Sequence, residues 1–459
     1  MYPSKLQPVS FFLFSLFSPR VFISLSSFEK MLYDQGQLAV AYLEAYQVSR
    51  DPLFSAVAND ILAYVNTNLR DEMGGFYCAE DADSKETHGA TEAIEGAFYA
   101  WTYDDLLAVL DETEELPLFA FRYGVEKTGN VPAETDIQGE LAGKNILFEK
   151  HTLAETAKLA GKSEEETRAL LDSCRKKVYQ QQQQRPRPNL DDKIITAWNG
   201  LVISAFCKAH QILGDAGHLA TAVAAAEFFW ETMYDQATKV LYRSYRHGHS
   251  TIEGYSDDYA YFIQALLDLY ESTFDEKWLR WATDLQQTQD SLFWDSQAYG
   301  YFSCKANDPA IIVRMKEDSD GAEPSANSVS ALNLFRIASL LDDSAMAEKA
   351  NLVFVANSST LQQSPSSLSF MASVLLICLR SSFHILIVGE KDHPDTKKML
   401  DAVNRHYIPN RILMSVPPFS SLALQTLTSF FCSPLFSQSH TGWWIPRRVG
   451  RVCCRRTTL

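Results

Sequence analysis

A dense set of charges meets the start of a predicted helix in residues 314–327, which read RMKEDSDGAEPSAN. Pro324 suits the first turn of that helix, where its missing N–H needs no partner. The three-residue spacing of the apolar residues that follow predicts one buried helix face. These residues are Val329, Leu332, Phe335, Ala338 and Leu341. The stretch is therefore predicted to be a polar loop that leads into the N-terminus of a buried helix.

Two interpretations of this loop stay open. Mixed-sign charges in isolation most often form a solvated surface loop. The alternative is the wall of a polar pocket, which requires polar residues from elsewhere in the chain to meet it. The ionisable side chains concerned are Arg314, Lys316, Glu317, Asp318, Asp320 and Glu323.

The composition is that of a globular, acidic protein. Hydrophobic residues make up 46% and aromatic residues 12% of the 459 residues, enough for a large core. The formal net charge of -16 argues against nucleic acid or an anionic membrane as the main partner, because phosphate groups require clustered Lys and Arg. Basic residues cluster only at Arg447, Arg448, Arg451, Arg455 and Arg456.

The eight cysteines are scattered, and no Cys-x-x-Cys pair is present. Cys453 and Cys454 are adjacent, which suits neither a zinc site nor a thioredoxin-type redox pair. We therefore predict free thiols in a reducing compartment, no metal site and no cofactor.

The N-terminal stretch Val9–Ser26 is apolar and aromatic and faintly resembles a secretory signal. Pro19 and Arg20 interrupt this stretch, so it is a poor membrane span, and Leu368–Leu379 is too short to cross a bilayer. A cytoplasmic location without a membrane span is predicted, with secretion as the alternative.

From Met31 onward the sequence reads as a series of helical hairpins. Apolar periodicity predicts helix pairs at 198–213 with 219–234, 257–274 with 277–293, and 325–341 with 344–361, after a first pair near 32–65. Such units cannot bury their apolar faces alone and must stack or close on one another. Both an open solenoid and a closed ring fit, and the all-round apolar character of 203–213 and 259–269 favours the ring.

The pattern changes after Ser382. His384–Gly389 reads as a buried strand, Thr396–His406 as a helix and Ile412–Met414 as a second strand. We predict four parts: a stretch 1–27, an all-α toroid 28–382, a small βαβ-like appendage 383–416, and a loosely ordered tail 417–459.

Several blocks are specific enough to indicate a family. They are 28–35 (FEKMLYDQ), 79–84 (AEDADS), 95–101 (EGAFYAW), 185–193 (RPRPNLDDK), 197–201 (AWNGL), 257–260 (DDYA) and 320–327 (DGAEPSAN). In this order the sequence resembles the spermatogenesis-associated protein 20 family over residues 28–414. The resemblance implies an (α/α)6 toroid of six-hairpin-glycosidase type, which the family joins to an N-terminal thioredoxin-like domain.

The two ends depart from the family pattern. Residues 1–27 and the tail after Val416 match nothing in it. The resemblance therefore implies that the thioredoxin-like domain and the first toroid hairpin are lacking here, as in a truncated product. No thioredoxin activity is expected.

The matched blocks fall at loop–helix junctions, where an (α/α) barrel opens into a funnel. Sugar chemistry needs their mixture of residue types, since two carboxyl groups across a sugar ring can act as acid and as base or nucleophile. The candidate catalytic residues are Asp81, Asp258, Glu317, Asp320 and Glu323. The candidate substrate-binding residues are Glu80, Asp83, Trp101, Lys193, Trp198, Asn199, Asp257, Tyr259, Arg314, Lys316 and Asn327.

The competing interpretation of these residues is structural, with carboxylates that cap helices and pair with nearby cations. It applies to Asp81, Asp257 and Asp320, with Lys193, Arg314 and Lys316 as partners. Neither interpretation prevails from the sequence, which also does not assign acid and base.

Three functions follow as hypotheses. The first is a sugar-binding or sugar-processing toroid, glycosidase- or 2-epimerase-like, with a carbohydrate ligand. The 2-epimerases of this fold use paired ring-nitrogen bases, but His88, His247 and His249 lie in no epimerase-like motif. The second is a non-enzymatic interaction module with a thioredoxin-like partner domain and a role in sperm maturation. The third is a truncated product without activity.

Overall fold

A computed structural model of the protein describes residues 28–134, 136, 138–307, 311–380 and 382–417, and the backbone of 443–447 and 450–457. The stretch 1–27 and most of the predicted tail lie outside these residues.

Helices dominate the described chain. They are α1 (Leu32–Ser49), α2 (Pro52–Asn68), α3 (Tyr103–Leu107), α4 (Glu115–Tyr123), α5 (Leu153–Ala160), α6 (Glu164–Gln182), α7 (Thr196–Leu213), α8 (Ala216–Thr232), α9 (Ser256–Thr273), α10 (Glu276–Phe293), α11 (Ala326–Leu341), α12 (Ser344–Ala356), α13 (Ser358–Gln363), α14 (Ser369–Leu379) and α15 (Pro394–Asn404).

The strands are mostly two residues long and pair locally. They are β1 (Lys30–Met31), β2 (Ala79–Glu80), β3 (Asp83–Ser84), β4 (Ile94–Glu95), β5 (Leu190–Asp191), β6 (Ile194–Ile195), β7 (Tyr234–Asp235), β8 (Val240–Leu241), β9 (Ser244–Tyr245), β10 (Ser382–Val388), β11 (Arg411–Val416), β12 (Trp443–Arg447) and β13 (Gly450–Thr457).

The chain divides into two compact units. Unit 1 contains the described part of Met1–Met31, Thr67–Leu69 and Cys78–Asp192. Unit 2 contains Leu32–Asn66, Arg70–Tyr77 and the described part of Lys193–Leu459. Within unit 1, α4, α5 and α6 pack around a core that includes Trp101, Phe119 and Leu171.

The helices of unit 2 form two layers. α1, α7, α9, α11 and α14 pack side by side in that order, and α8, α10 and α12 are the hairpin partners of α7, α9 and α11. The inner helices are enclosed by protein, since all five consecutive residues from Tyr259 to Ile263 of α9 are buried. The predicted fold class, an all-α arrangement of helical hairpins of the (α/α) toroid type, is confirmed.

Glycines set the close spacing of the inner helices. A Cβ at Gly200 of α7 would lie 2.7 Å from the backbone of Tyr261 in α9. A Cβ at Gly36 of α1 would lie 3.0 Å from the backbone of Leu201 in α7. A larger residue at either position would push two neighbouring helices apart.

The appendage has the predicted βαβ order. β10 and β11 are parallel, as a helical crossover requires, and α15 connects them. Ile385, Ile387 and Leu413 pack against Met399 and Leu400 of α15. The backbone of β13 pairs antiparallel with β10, and β12 pairs with β13. These two segments belong to the stretch predicted as a loosely ordered tail, and their backbones extend the sheet in the order β11-β10-β13-β12.

Two local predictions need correction. Pro324 precedes the helix rather than lying in its first turn: Ser325 is the N-cap of α11, and its Oγ accepts a hydrogen bond from Ser328 N. The predicted helix 344–361 is interrupted at Asn357, whose side chain donates back to the carbonyl of Val353.

No described helix combines the length and the apolar character that a bilayer span requires. The apolar helix α14, Ser369–Leu379, is among those that are too short.

Candidate functional site

Polar residues of unit 2 converge at the N-terminal ends of α7, α9 and α11. Three hydrogen bonds connect these ends: Ala197 N donates to Asp258, the Trp198 indole to Glu323, and the Tyr261 hydroxyl to the Pro324 carbonyl. We name the group that meets there the helix-end cluster. It consists of Trp198, Arg243, Asp257, Asp258, Tyr261, Glu317 and Glu323.

Arg243 is the cation of the helix-end cluster. Its Nη1 lies 2.8 Å from Asp258 Oδ2 and 3.3 Å from Asp257 Oδ2. Its guanidinium lies 4.7 Å from the centre of the Tyr255 ring, within range of a cation–π contact. Burial lowers the pKa of Arg243, but the negative charges of Asp258 and Asp257 raise it by a larger amount, so the net shift of the pKa is upward. The guanidinium is therefore a fixed positive charge beside two carboxyl groups.

Asp258 is a fully buried helix cap. Its Oδ2 accepts from Tyr255 N and its Oδ1 from Ala197 N, at 2.8 and 2.9 Å. Burial and then Asp257 raise the pKa of Asp258, whereas Arg243 and the two backbone donors act in the opposite direction. Through these contacts the carboxyl group of Asp258 connects α7, α9 and Arg243.

Glu323 has a different environment. Its Oε1 accepts from Trp198 Nε1 at 2.6 Å, and the indole also packs edge-on against Tyr33 at 5.0 Å between ring centres. Partial burial raises the pKa of Glu323 to about 7; the Trp198 hydrogen bond opposes this, and Asp257 adds to it. A large fraction of Glu323 therefore carries a proton at neutral pH.

Glu317 and Asp320 bind the start of α11. Glu317 Oε2 accepts from Ala326 N at 3.1 Å. Although much of its side chain is exposed, desolvation of its carboxyl group raises the pKa of Glu317. Asp320 accepts from Ser325 N through Oδ1 and from Phe370 N through Oδ2. Asp320 thus joins the starts of α11 and α14, in agreement with the structural interpretation of this residue.

Two side-chain amides that were predicted to bind substrate form hydrogen bonds with the protein backbone instead. Asn199 exchanges two hydrogen bonds with the backbone of Phe76, and Asn327 does the same with Tyr301. Both are buried, and each fixes the aromatic turn beside its helix. Tyr259 is also fully buried, and its hydroxyl accepts from Leu241 N. These three residues depart from the predicted role because their polar atoms already have protein partners.

The two predicted cations of the loop also contact protein. Arg314 donates to the carbonyls of Cys304 and Leu292, and Lys316 donates to Asp295 and to the Tyr299 carbonyl. Both lie over the Phe302 ring, at 4.0 and 4.9 Å from its centre. They anchor the loop, although not through the carboxylates that the structural interpretation named. Lys193 is exposed just before β6.

The remaining candidates belong to unit 1. Glu80 is buried and accepts from Arg187 Nη2 at 2.6 Å. Asp81 and Asp83 are exposed, and Asp81 Oδ1 accepts from Asp83 N. Trp101 is fully buried, with the Arg185 guanidinium 3.9 Å from its ring centre. A ring without exposed surface cannot contact a substrate, so Trp101 departs from its predicted role.

Among the described residues, histidines do not contact the helix-end cluster. His249 stacks on Tyr242 at 4.2 Å, and His88 contacts the Gln184 carbonyl of unit 1. No group of three or more His, Cys, Asp or Glu side chains in the described part of the chain is arranged to hold a metal ion.

Arg243 and Tyr261 were not among the sequence candidates. In the sequence Arg243 reads only as the end of a short strand. The adjacent pair Asp257-Asp258 at a helix start could have predicted a cation beside it, because two neighbouring carboxylates favour a nearby positive charge. Tyr261 reads as one more apolar position of a buried helix, and its hydroxyl contact depends on the loop before α11.

Comparison with known proteins gives no matching family model. The chain is 40% identical to human spermatogenesis-associated protein 20 over 404 residues, which are 84% of this chain and 51% of the human protein. The rat protein of the same name is 39% identical over the same shares. The chain is a homologue of spermatogenesis-associated protein 20. This homologue spans about half the length of the curated relatives it matches, and the family resemblance of the sequence motifs is confirmed.

Solved structures similar to this homologue include a sugar epimerase from a ruminal bacterium, at 11% identity and a TM-score of 0.40, over 73% of this chain and 61% of that one. Cellobiose 2-epimerase from Bacillus thermoamylovorans B4167 matches at 11% identity and a TM-score of 0.35, over 71% and 75% of the two chains. Likeness at this level carries no argument about activity.

Proposed function

We propose that the helix-end cluster binds a carbohydrate and hydrolyses a glycosidic bond. The observation that carries the proposal is the contrast between two carboxyl groups. Glu323 is partly desolvated and held by the Trp198 indole, whereas Asp257 faces the Arg243 guanidinium. Pairs of carboxyl groups in unlike environments are the arrangement that divides acid from base in glycosidases.

Glu323 is the proposed general acid. With a pKa of about 7, a large fraction keeps its proton at neutral pH. In the proposed step that proton passes to the glycosidic oxygen while the bond to the anomeric carbon breaks. The indole N–H of Trp198, 2.6 Å away, then stabilises the carboxylate that remains.

Asp257 is the proposed second carboxylate. It is about a quarter exposed, at 27% of its side-chain surface, unlike its fully buried neighbour Asp258. In one route Asp257 attacks the anomeric carbon and forms a glycosyl ester, which water then hydrolyses while the Glu323 carboxylate takes the proton of that water. In the other route Asp257 takes a proton from a water that attacks the anomeric carbon directly, and the separation of the two carboxyl groups in the substrate complex selects between the routes. The stereochemistry of the product, read by NMR at the anomeric proton, distinguishes them.

Aromatic residues supply the remaining requirement of a sugar site. Trp198 is half-buried and lies next to Tyr33, which is also partly exposed. Ring faces pack on the apolar faces of sugars, while carboxylates accept from hydroxyls. Hydrolysis is favoured over 2-epimerisation because carboxyl groups dominate the contacts of the cluster, and among the described residues none of these contacts involves a histidine, the ring-nitrogen base that 2-epimerisation requires.

The test is a hydrolysis panel of nitrophenyl glycosides and unmodified oligosaccharides, with the whole chain and two variants. Glu323→Gln keeps an acceptor for Trp198 but removes the transferable proton, so kcat should fall about 100-fold or more on unactivated substrates. The matched control is Glu276→Gln, which breaks only an exposed ion pair with Arg280 and should leave kcat unchanged.

The expected pattern is activity on at least one sugar class that depends on Glu323 and not on Glu276. Absence of hydrolysis across the panel, or equal kcat for the native chain and Glu323→Gln, would overturn the proposal. The predicted thioredoxin-like partner, the role in sperm maturation, the domain boundaries and the cytoplasmic location stay predictions.

A further inference from the structure

An aromatic surface lies on the outer helices α8 and α10 of unit 2. On α8, Glu227 and Trp230 share one face with Tyr234, which follows that helix; on α10, Lys277, Trp281 and Asp284 share another. Two contacts join the two faces: Glu227 with Lys277 at 3.2 Å and Trp230 with Trp281 at 4.9 Å. Next to them, Lys239 of the turn between β7 and β8 lies 2.7 Å from Asp284. An aromatic pair is therefore flanked by an ion pair on each side.

The rings of this surface support one another. Trp281 lies edge-on to Trp230, 5.3 Å from Tyr234 and 5.2 Å from Phe262 of α9. Trp278 and Trp281 are each only 3% exposed, whereas Trp230 is 39% exposed. We name Trp230, Tyr234, Trp278 and Trp281 the outer aromatic platform. Its exposed indole is held in place before any ligand arrives, which lowers the entropic cost of binding.

The chemistry of the platform limits its ligand. A single exposed apolar side chain is ordinary, but this one is fixed by interlocked rings and bordered by polar groups. The two bordering ion pairs sum to zero charge, which favours a neutral ligand over an anionic or cationic one. Carboxylates and ammonium groups beside a ring face suit hydroxyls around an apolar ring face.

We propose that the outer aromatic platform is a second carbohydrate-binding site, which holds one ring of a neutral oligosaccharide on the indole of Trp230. It shares the ligand class of the proposed function but none of its residues. A chain bound there would stay tethered to the protein, and binding at the platform requires no turnover.

Affinity electrophoresis of the whole chain tests this site, with laminarin, mannan, xylan or dextran in the gel and with heparin and polygalacturonate as charged polymers. At least one neutral polymer should retard the native chain, and Trp230→Ala should weaken this retardation at least about tenfold in dissociation constant. Trp230→Phe keeps a ring and should retain most of the binding.

Two controls separate the platform from other effects. Val355→Ala removes an exposed apolar side chain from the outer helix α12 and should bind as the native chain does. Trp230→Ala should hydrolyse the nitrophenyl glycosides as the native chain does, so that failure of the proposed catalysis and failure of this site are distinguishable. Equal thermal melting of the variants confirms folding. Absence of retardation by every neutral polymer, retardation by charged polymers alone, or undiminished retardation of Trp230→Ala would overturn the inference.

Discussion

Replacing Glu323 by Gln should remove a pH-dependent part of the free energy of unfolding. Partial burial raises the pKa of Glu323 from 4.5 to about 7, so the folded chain keeps a proton that the unfolded chain releases. The stabilisation from this group is fully present below about pH 4.5 and is lost as pH rises through about 7. A glutamine carries no such proton, and its contribution is constant over this range.

The size of the effect follows from the two pKa values. The difference, about 7 minus 4.5, corresponds to about 3 kcal/mol at 1.36 kcal/mol per pH unit. Solvent screening of a half-buried carboxyl group reduces this to about 1–2 kcal/mol. The native chain should therefore lose about 1–2 kcal/mol more stability than Glu323→Gln between pH 4.5 and 8. Part of that difference comes from the negative charge of Glu317, which also raises the pKa of Glu323.

Urea denaturation at four pH values between 4.5 and 8, followed by tryptophan fluorescence, measures this difference. Glu276→Gln serves again as the control and should run parallel to the native chain. Parallel pH dependence of the native chain and Glu323→Gln would refute the reasoning, because it would mean that the folded structure does not hold the proton of Glu323.

Two further variants test the contacts of the helix-end cluster. Arg243→Met removes the charged donor of the buried Asp258 carboxyl group and should lower the free energy of unfolding by about 1–3 kcal/mol, measured in urea at pH 7; an unchanged free energy of unfolding would contradict the assigned contact. Trp198→Phe keeps a ring but removes the donor to Glu323, so the pKa of Glu323 should rise above about 7 and the alkaline limb of the activity profile should move to higher pH. An unchanged or lower limb would count against Glu323 as the acid.

Local sequence patterns located the helices because helix formation and apolar periodicity act over a few residues. The predicted helix 257–274 is Ser256–Thr273 in the structure, and the predicted 325–341 is Ala326–Leu341. Where a polar side chain competes for the backbone the pattern was misleading, as at Asn357, which separates α12 from α13. The βαβ order of the appendage was equally readable, since a buried strand is a continuous apolar run.

The sequence by itself determined the helical hairpins, their order and the polar character of the loops between them. Only the tertiary structure decided which polar residues meet: Trp198 and Glu323 are 125 positions apart, and Arg243 reaches Asp257 from the bend between β8 and β9. The tertiary structure also determines that the side chains of Asn199 and Asn327 bind backbone groups. The reason is physical: a helix start is set by its own residues, but whether a side chain faces a ligand, a cation or a backbone amide depends on which distant element packs beside it.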